Sequence, residues 1–311
     1  MAGANLPAKK YTKTAPTQLR LSFEGSGNGT KFIDIAKALS IINRKFYRQG
    51  VYYYVNSVEI YNDETGVVDL HTLPDNWVTK NAHQRGFKLF QKMNALTSEA
   101  GFTMRPQYHD FKVFMSAMHQ STGTLDPSLH GINAVAVQHT ADDWDYSKFV
   151  SADDDGDGTQ EADDFYVHMI GGHVGSSDNW TSISLIKSYS ESRATVAIDS
   201  PNDDNITHDD PLVNVFDMSS EEQMNDLITN LQGTNDDPPY DYDFYIGESA
   251  SNMQHVARIG TEQGVGRVGR ASGFCAPMGL ICVDPHGVST AFRVVLNLAQ
   301  GTYHGVYAER A

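Results

Sequence analysis

The chain has 311 residues, of which 40% are hydrophobic, and its 39 Asp and Glu outnumber its 23 Lys and Arg for a net charge of −16. No apolar run reaches the roughly 18 residues of a membrane span, and no apolar segment follows the first charges. We therefore expect no secretory signal and synthesis in a cytosol. Two cysteines, Cys275 and Cys282, exclude a disulfide framework and a zinc site made of cysteines alone.

Charge is divided unevenly along the chain. Residues 1–50 carry nine Lys and Arg against two carboxylates, a net charge of +7, whereas residues 141–250 carry 26 Asp and Glu against three cations, a net charge of −23. A basic segment can neutralise phosphate, while an acidic one repels it and stays hydrated. The acidic part is equally typical of a protein adapted to saline surroundings. The cations that we expect to face nucleic acid are Lys9, Lys10, Lys13, Arg20, Lys31, Lys37, Arg44, Lys45 and Arg48.

Residues 1–18 mix Lys, Thr, Pro and Ala without periodicity, which predicts a flexible basic arm. Alternating apolar residues in 18–24 predict a strand, and helical spacing over 30–49 predicts an amphipathic helix with a basic outer face. The β-branched and aromatic residues of 51–61 and 67–73 predict two strands joined by a turn.

A second helix is expected at 80–98, capped by Thr79, with Leu96 on its inward face. From 107 to 215 short apolar runs alternate with Asp, Gly, Ser and Pro, which predicts strands of a sandwich or barrel. Ser219 and Glu222 form a capping box for a further short helix. In the last third, strands are expected at 242–247, 254–260, 279–284, 290–298 and 302–309.

A dozen or so strands without a regular alternation of strands and helices predict an all-β fold, β-rich with a few helical insertions. Eight such strands would suffice for a jelly roll, which is a two-sheet sandwich. No repeat or clear linker divides the chain, so we expect one domain over 19–311 with long acidic surface loops at about 141–250.

The segment from Asp153 to Asp164 has the spacing of a calcium loop. Asp153, Asp155 and Asp157 occupy the first, third and fifth positions, Thr159 supplies a backbone carbonyl at the seventh, and Asp164 is the twelfth. Calcium requires such a ring of oxygen ligands. However, Asp164 is shorter than the usual Glu and a strand-like run follows it. Two interpretations remain: a bound Ca²⁺, or a solvated acidic turn.

A glycine-rich stretch at 264–269 lies among Arg258, Arg267 and Arg270. Glycines allow close approach of the backbone, and guanidinium groups bind phosphate or carboxylate, so these arginines are candidate contacts to phosphate or to another subunit. An ordinary flexible surface loop is the alternative. No nucleophile elbow or cysteine with a neighbouring base is present, so we predict no catalytic residues and a protein that is not an enzyme.

Three segments, 51–94, 149–171 and 294–309, resemble capsid proteins encoded by small circular single-stranded DNA viruses from marine and other aquatic environments. The resemblance implies a viral jelly-roll sandwich that self-assembles into an icosahedral shell around a small single-stranded DNA genome. It also implies a location in the virion, loops on the outer surface, an inner surface formed by the basic start of the chain, and a host receptor as a further partner.

One feature departs from that family. Many such proteins begin with a dense run of Arg and Lys, whereas Lys9, Lys10 and Lys13 are spaced apart. The negative charge of the genome is then partly balanced by cations, or another protein or an internal membrane lies between the genome and the shell. The alternative function is a β-rich, calcium-stabilised binding, adhesion or spike module, and a third is an enzyme that cleaves glycans with a pair of carboxylates.

Overall fold

The computed structural model describes residues 18–99, 106–130, 136–150, 164–176, 179–193, 225, 239–240, 244–248, 252–261 and 268–299. The chain divides into two compact units, one made of Met1–Tyr189 and Ile246–Ala311 and the other of Ser190–Tyr245. The larger unit contains the features that bear on function. Within the described residues, no helix is both long and apolar enough to span a membrane.

The chain is rich in strands, with a few helices. The strands in chain order are β1 (Arg20–Ser26), β2 (Lys31–Asp34), β3 (Tyr53–Asn62), β4 (Gly66–Thr72), β5 (Phe114–Ser116), β6 (Ser128–His130), β7 (Ala136–Gln138), β8 (Lys148–Val150), β9 (Asp164–Ile170), β10 (Val174–Ser176), β11 (Asn179–Ser184), β12 (Gln254–Thr261), β13 (Val268–Ala276), β14 (Leu280–His286) and β15 (Ala291–Leu298). The helices are α1 (Ile35–Asn43), α2 (Trp77–Glu99), α3 (Ala117–Thr122) and α4 (Leu185–Glu191).

Two four-stranded antiparallel sheets form what we call the two-sheet body. Sheet A has the order β1-β15-β3-β13, and sheet B has the order β12-β4-β14-β2. Four pairings are nested in the sequence: β1 with β15, β2 with β14, β3 with β13 and β4 with β12. The pairing of β15 with β3 joins two of these strand pairs into sheet A, and the pairing of β14 with β4 joins the other two into sheet B.

One hydrophobic cluster lies against both sheets. Its buried side chains include Phe23 and Ile60 from sheet A and Leu70 and Val283 from sheet B, and all its buried members fall within residues 21–70 or 259–298. Each fully buried side chain of this size contributes about 1.5–3 kcal/mol of burial free energy. A core shared by two antiparallel sheets is compatible with a β-sandwich.

Residues 73–189, which we call the insertion, follow β4 and build a separate set of elements. Their third sheet has the order β10-β11-β9-β5, with β8 also paired to β9, and β6 and β7 form a hairpin. Strand β9 runs parallel to both β5 and β11. The sequence predicts strands here as part of a sandwich or barrel but does not predict the two parallel pairs, because alternation along a strand does not reveal its partner.

Two predicted helices differ from the structure at their ends. The predicted helix over 30–49 is wrong at both ends, because its first residues form β2 and α1 ends at Asn43. Helix α1 begins after Asp34, whose carboxylate accepts the Lys37 N–H. Helix α2 begins at Trp77 because Asn76, not Thr79, supplies the capping oxygen, at 2.8 Å from the Thr79 nitrogen. Its Leu96, expected to be buried, is 57% exposed.

Six predicted strands are confirmed as β1, β3, β4, β12, β14 and β15. Strand β13 was missed because its glycines and Ser272 hide the alternation. Gly273 is required there, since a Cβ would lie 2.5 Å from the Val55 carbonyl oxygen of β3. The strand expected at 242–247 is wrong in its described part, where 244–247 form no strand. Of the helix predicted from the capping box at 219–222 to Gly233, only residue 225 is described, and it is helical; the strand predicted at 302–309 lies outside the described residues.

Candidate functional site: charged surfaces and a cavity

The basic residues expected to face nucleic acid are spread over β1, β2, α1 and the turn after α1. Three of them are paired within the chain: Arg20 with Glu59 at 3.0 Å, Lys37 with Asp126 at 2.8 Å and Arg48 with Asp110 at 3.2 Å. In the described part of the chain no carboxylate pairs with Lys31, Arg44 or Lys45, so these three keep their charge for an external anion. Lys9, Lys10 and Lys13 lie outside the described residues.

The turn after α1 has a defined shape because Ser40 bonds to it repeatedly. Arg44 adopts a left-handed conformation (φ 50°) and its N–H donates to the Ser40 carbonyl, which ends the helix. The Lys45 N–H reaches the same carbonyl at 3.3 Å, and the Tyr47 N–H donates to the Ser40 hydroxyl at 3.0 Å. These bonds fix the backbone that carries Arg44, Lys45 and Phe46.

This turn forms one wall of a cavity of about 840 Å³, which we call the α1 cavity. It is lined by Arg44, Lys45, Phe46, Tyr108, Lys112 and Trp144, among others. The sequence predicted a role for Arg44 and Lys45 but missed the remaining four. A signal was present in residues 44–48, where basic residues flank the adjacent aromatic residues Phe46 and Tyr47, a combination typical of nucleic-acid contacts.

On the outer face of sheet A, Glu59 of β3 is surrounded by donors. It accepts hydrogen bonds from Arg20 at 3.0 Å and from the Tyr61 hydroxyl at 2.9 Å, and it lies 3.6 Å from Arg270 Nε. Arg270 lies on β13 and not on the glycine-rich stretch, and its side chain is 74% exposed. Exposed pairs of this kind are worth at most about 1 kcal/mol.

On the outer face of sheet B, Asp69 of β4 is the corresponding carboxylate, and its neighbours are two histidines and an arginine. His255 and His286 Nε2 atoms lie 3.5 and 3.4 Å from its oxygens, and Arg258 Nε lies at 3.7 Å. Burial, followed by the nearby His255, lowers the pKa of His71. Arg258 thus also belongs to a strand, β12, whereas Arg267 lies outside the described residues.

Of the predicted calcium loop, only the final ligand is described. Asp164 begins β9, and its carboxylate accepts a hydrogen bond from the Lys148 ammonium, which raises the pKa of Lys148. The antiparallel pair Val150 and Asp164 brings together the two ends of the segment. Asp153, Asp155, Asp157 and Thr159 lie outside the described residues. Among those that are described, no group of three His, Cys, Asp or Glu side chains could hold a metal ion.

Three histidines of the insertion are buried and held neutral. Burial lowers the pKa of His83 and His168 to about 4 and that of His119 to about 3. His168 is hydrogen-bonded to the Ser182 hydroxyl at 2.6 Å and to the Gly172 carbonyl at 3.0 Å. His119 stacks on Phe32 of β2, with ring centroids 4.7 Å apart. These rings therefore serve the packing of the insertion.

Comparisons of the chain with protein-family models, with curated proteins and with solved structures found no match. The nested strand pairs, the distribution of charge and the α1 cavity are consequently the features from which a function can be inferred.

Proposed function

We propose that this chain is a viral capsid protein whose two-sheet body is a jelly roll, and that copies of it assemble without covalent links into an icosahedral shell around a single-stranded DNA genome. The nested strand pairing carries this proposal. When the eight strands of the body are counted in chain order, the first pairs with the eighth, the second with the seventh, the third with the sixth and the fourth with the fifth. A long antiparallel hairpin rolled into two sheets has this order, and that is the jelly roll of capsid domains.

Charge gives the subunit an orientation in the proposed shell. Residues 1–50 carry +7 and lead into the body through β1 and β2, so they form most of the inner surface against the genome. Residues 141–250 carry −23 and form most of the outer surface, because each close approach to phosphate would cost about 1 kcal/mol even in water. The proposed partners are further copies of the chain, the genome and a host receptor.

Calcium binding by the loop that ends at Asp164 is part of the same proposal, but a lysine ammonium competes with the ion for that carboxylate. Lys148 already occupies the Asp164 carboxylate. A calcium ion must displace that ammonium, so its affinity is expected near the weak end of the range for extracellular modules, about 10⁻⁴–10⁻³ M. Under this proposal the ion would hold together carboxylates that otherwise repel each other.

Sedimentation velocity of the purified, nuclease-treated full chain tests the proposal. A shell protein sediments as large closed particles or as capsomers that convert to particles when salt or protein concentration changes. An adhesion or spike module stays a monomer or trimer under all of these conditions. Monomers or trimers alone, across a wide range of salt and calcium, would overturn the capsid proposal.

A further inference from the structure

The α1 cavity combines three cations with three aromatic rings. Its volume, about 840 Å³, falls within the range of about 300–1,000 Å³ that is usual for small-ligand sites. It lies between the turn after α1, the residues before β5 and the residues between β7 and β8. Shell assembly by itself gives these side chains no reason to converge.

Lys112 is the most informative residue of the cavity. The residue is 6% exposed, and its ammonium lies 4.6 Å from the centroid of the Trp144 ring and 5.8 Å from that of Phe46. Among the described residues no carboxylate forms a salt bridge with it. Burial lowers the pKa of Lys112. Four carboxylates at longer range oppose that shift: Asp110, Asp143, Asp34 and Asp145. A charge on a largely buried side chain that lacks a close salt bridge is still costly, and the two rings offset only part of that cost. An anion in the cavity would complete the site.

The aromatic rings offer a second kind of contact. The Phe46 ring is near both other rings, with its centroid 5.8 Å from that of Tyr108 and 6.1 Å from that of Trp144. Tyr108 is 58% exposed, so one of these rings is open to a ligand. Flat apolar ligands stack on such rings, and nucleic-acid bases do so regardless of sequence. The cavity therefore suits a ligand with both an aromatic plane and a negative charge.

We propose that the α1 cavity binds a nucleotide of single-stranded nucleic acid, with its base against the Tyr108 and Trp144 rings and its phosphate toward Lys112, Arg44 and Lys45. This inference rests on the proposed function, in which that nucleic acid is the genome. A base can enter only when it is unpaired and unstacked, so the site selects single strands over duplexes.

Two carboxylates, Asp142 and Asp143, also line the cavity, and both are exposed. They repel phosphate and lower the affinity. This repulsion acts on the phosphate backbone of any sequence, so it also lowers the affinity for oligothymidylate. The double variant Asp142→Asn with Asp143→Asn therefore binds oligothymidylate more tightly than the unmodified chain.

The experiment measures binding of a short fluorescent oligothymidylate by anisotropy at several salt concentrations. It uses the full chain, freed of nucleic acid and kept below the concentration at which it assembles. Lys112→Met keeps the buried aliphatic stem and removes the charge; it weakens binding about tenfold and reduces the salt dependence by about 0.7 in log–log slope. Tyr108→Ser removes an exposed ring, so folding is unaffected; it weakens binding about tenfold without changing that slope.

Lys92→Gln, on the exposed face of α2, is the matched loss of one charge outside the cavity and leaves binding within twofold. Wild-type affinity in both cavity variants, or equal weakening in Lys92→Gln, would overturn the inference. The sedimentation experiment separates this failure from that of the capsid proposal. If the cavity variants bind DNA normally and still form shells, only the inference about the α1 cavity fails. If binding depends on the rings but the chain never assembles, only the capsid proposal fails.

Discussion

The two-sheet body and the insertion differ in the side chains that form their interiors. The body buries aliphatic side chains such as Val58 and Leu296 between its sheets. The insertion packs Phe111 against other aromatic rings and includes the neutral imidazoles of His83, His119 and His168 in its interior. The contrast indicates that acid affects the interior of the insertion, whereas the described histidines of the body lie on the outer face of sheet B.

The largest expected effect is acid destabilisation of the insertion. In the unfolded chain histidine takes up a proton near its ordinary pKa of about 6.5, but in the folded chain His83 and His168 do so only at about 4 and His119 at about 3. The unfolded state thus binds more protons below pH 6.5. Stability is complete above that pH and falls by about 3 kcal/mol for each histidine as the pH approaches 4.

Amide exchange between pH 7 and 4.5 measures this difference by region. Protection in β9 and α3 should fall before protection in β3 and β15 does. His83→Leu removes one titrating group whose Nε2 is buried and, among the described residues, has no hydrogen-bond partner, so it should reduce the pH dependence by about one proton. The same replacement at the half-exposed His286 is the control. Equal loss of protection in both regions would show that the insertion is not the acid-sensitive part.

A smaller effect is expected at Gln49, which joins the body to the insertion. This side chain is 1% exposed; its amide donates to Asp34 at 3.0 Å and to the Val113 carbonyl at 3.0 Å, and its oxygen accepts the Val113 N–H at 2.6 Å. Gln49→Leu leaves three buried groups without this partner and should lower the free energy of unfolding by about 3 kcal/mol.

Urea denaturation measures the Gln49 effect, and Gln18→Leu is the matched control. The Gln18 side chain bonds to the exposed Arg20 carbonyl, so its loss should cost less than about 0.5 kcal/mol. Similar costs for the two variants would mean that the contact between Gln49 and Val113 does not hold the insertion to the body.

Calcium should act on the insertion alone. If the loop between β8 and β9 binds it, about 10 mM Ca²⁺ adds about 1 kcal/mol of stability, which chelator reverses. Asp155→Asn with Asp157→Asn should abolish this rise in melting temperature, while Lys148→Met, which frees Asp164, should enlarge it. Asp142→Asn with Asp143→Asn removes the same charge outside the loop and should not alter the response. A melting temperature that calcium and chelator leave unchanged identifies a solvated turn.

The smallest effects are expected on the outer faces of the body. Arg258→Gln and Arg270→Gln remove exposed partners of Asp69 and Glu59, so each should change the free energy of unfolding by less than about 0.5 kcal/mol. If these arginines contact another subunit or phosphate, assembly or nucleic-acid retention falls although stability does not. Unchanged assembly and nucleic-acid retention in both variants would show that the two arginines contact neither another subunit nor phosphate.

Much of the body could be predicted from the sequence because its strands alternate regularly and end at turn residues. Strand β13 could not, since Gly273 is present to let β3 approach closely, which no apolar pattern records. The mixed sheet of the insertion was also missed, because β5 is far from its parallel partner β9 in the chain and β10 lies between the parallel partners β9 and β11. Which strands pair in such a sheet depends on tertiary packing and not on the local sequence pattern.

The site was predictable to a lesser degree. Arg44 and Lys45 were found from charge alone, but Lys112 and Trp144 join them only through the fold, about 70 and 100 residues further along the chain. Charge counting also overestimated the free cations, because Arg20, Lys37 and Arg48 are paired with carboxylates that are distant in sequence. Net charge along a chain does not reveal which groups neutralise each other in the folded state.

The most direct measurement is an electron cryo-microscopy reconstruction of particles formed by the purified full chain. We predict closed icosahedral shells whose wall is the two-sheet body, with β1, β2 and the α1 cavity on the inner side and the paired ends of β8 and β9 on the outer side. A preparation without closed shells, or shells in which the segment between Val150 and Asp164 lines the interior, would contradict the account.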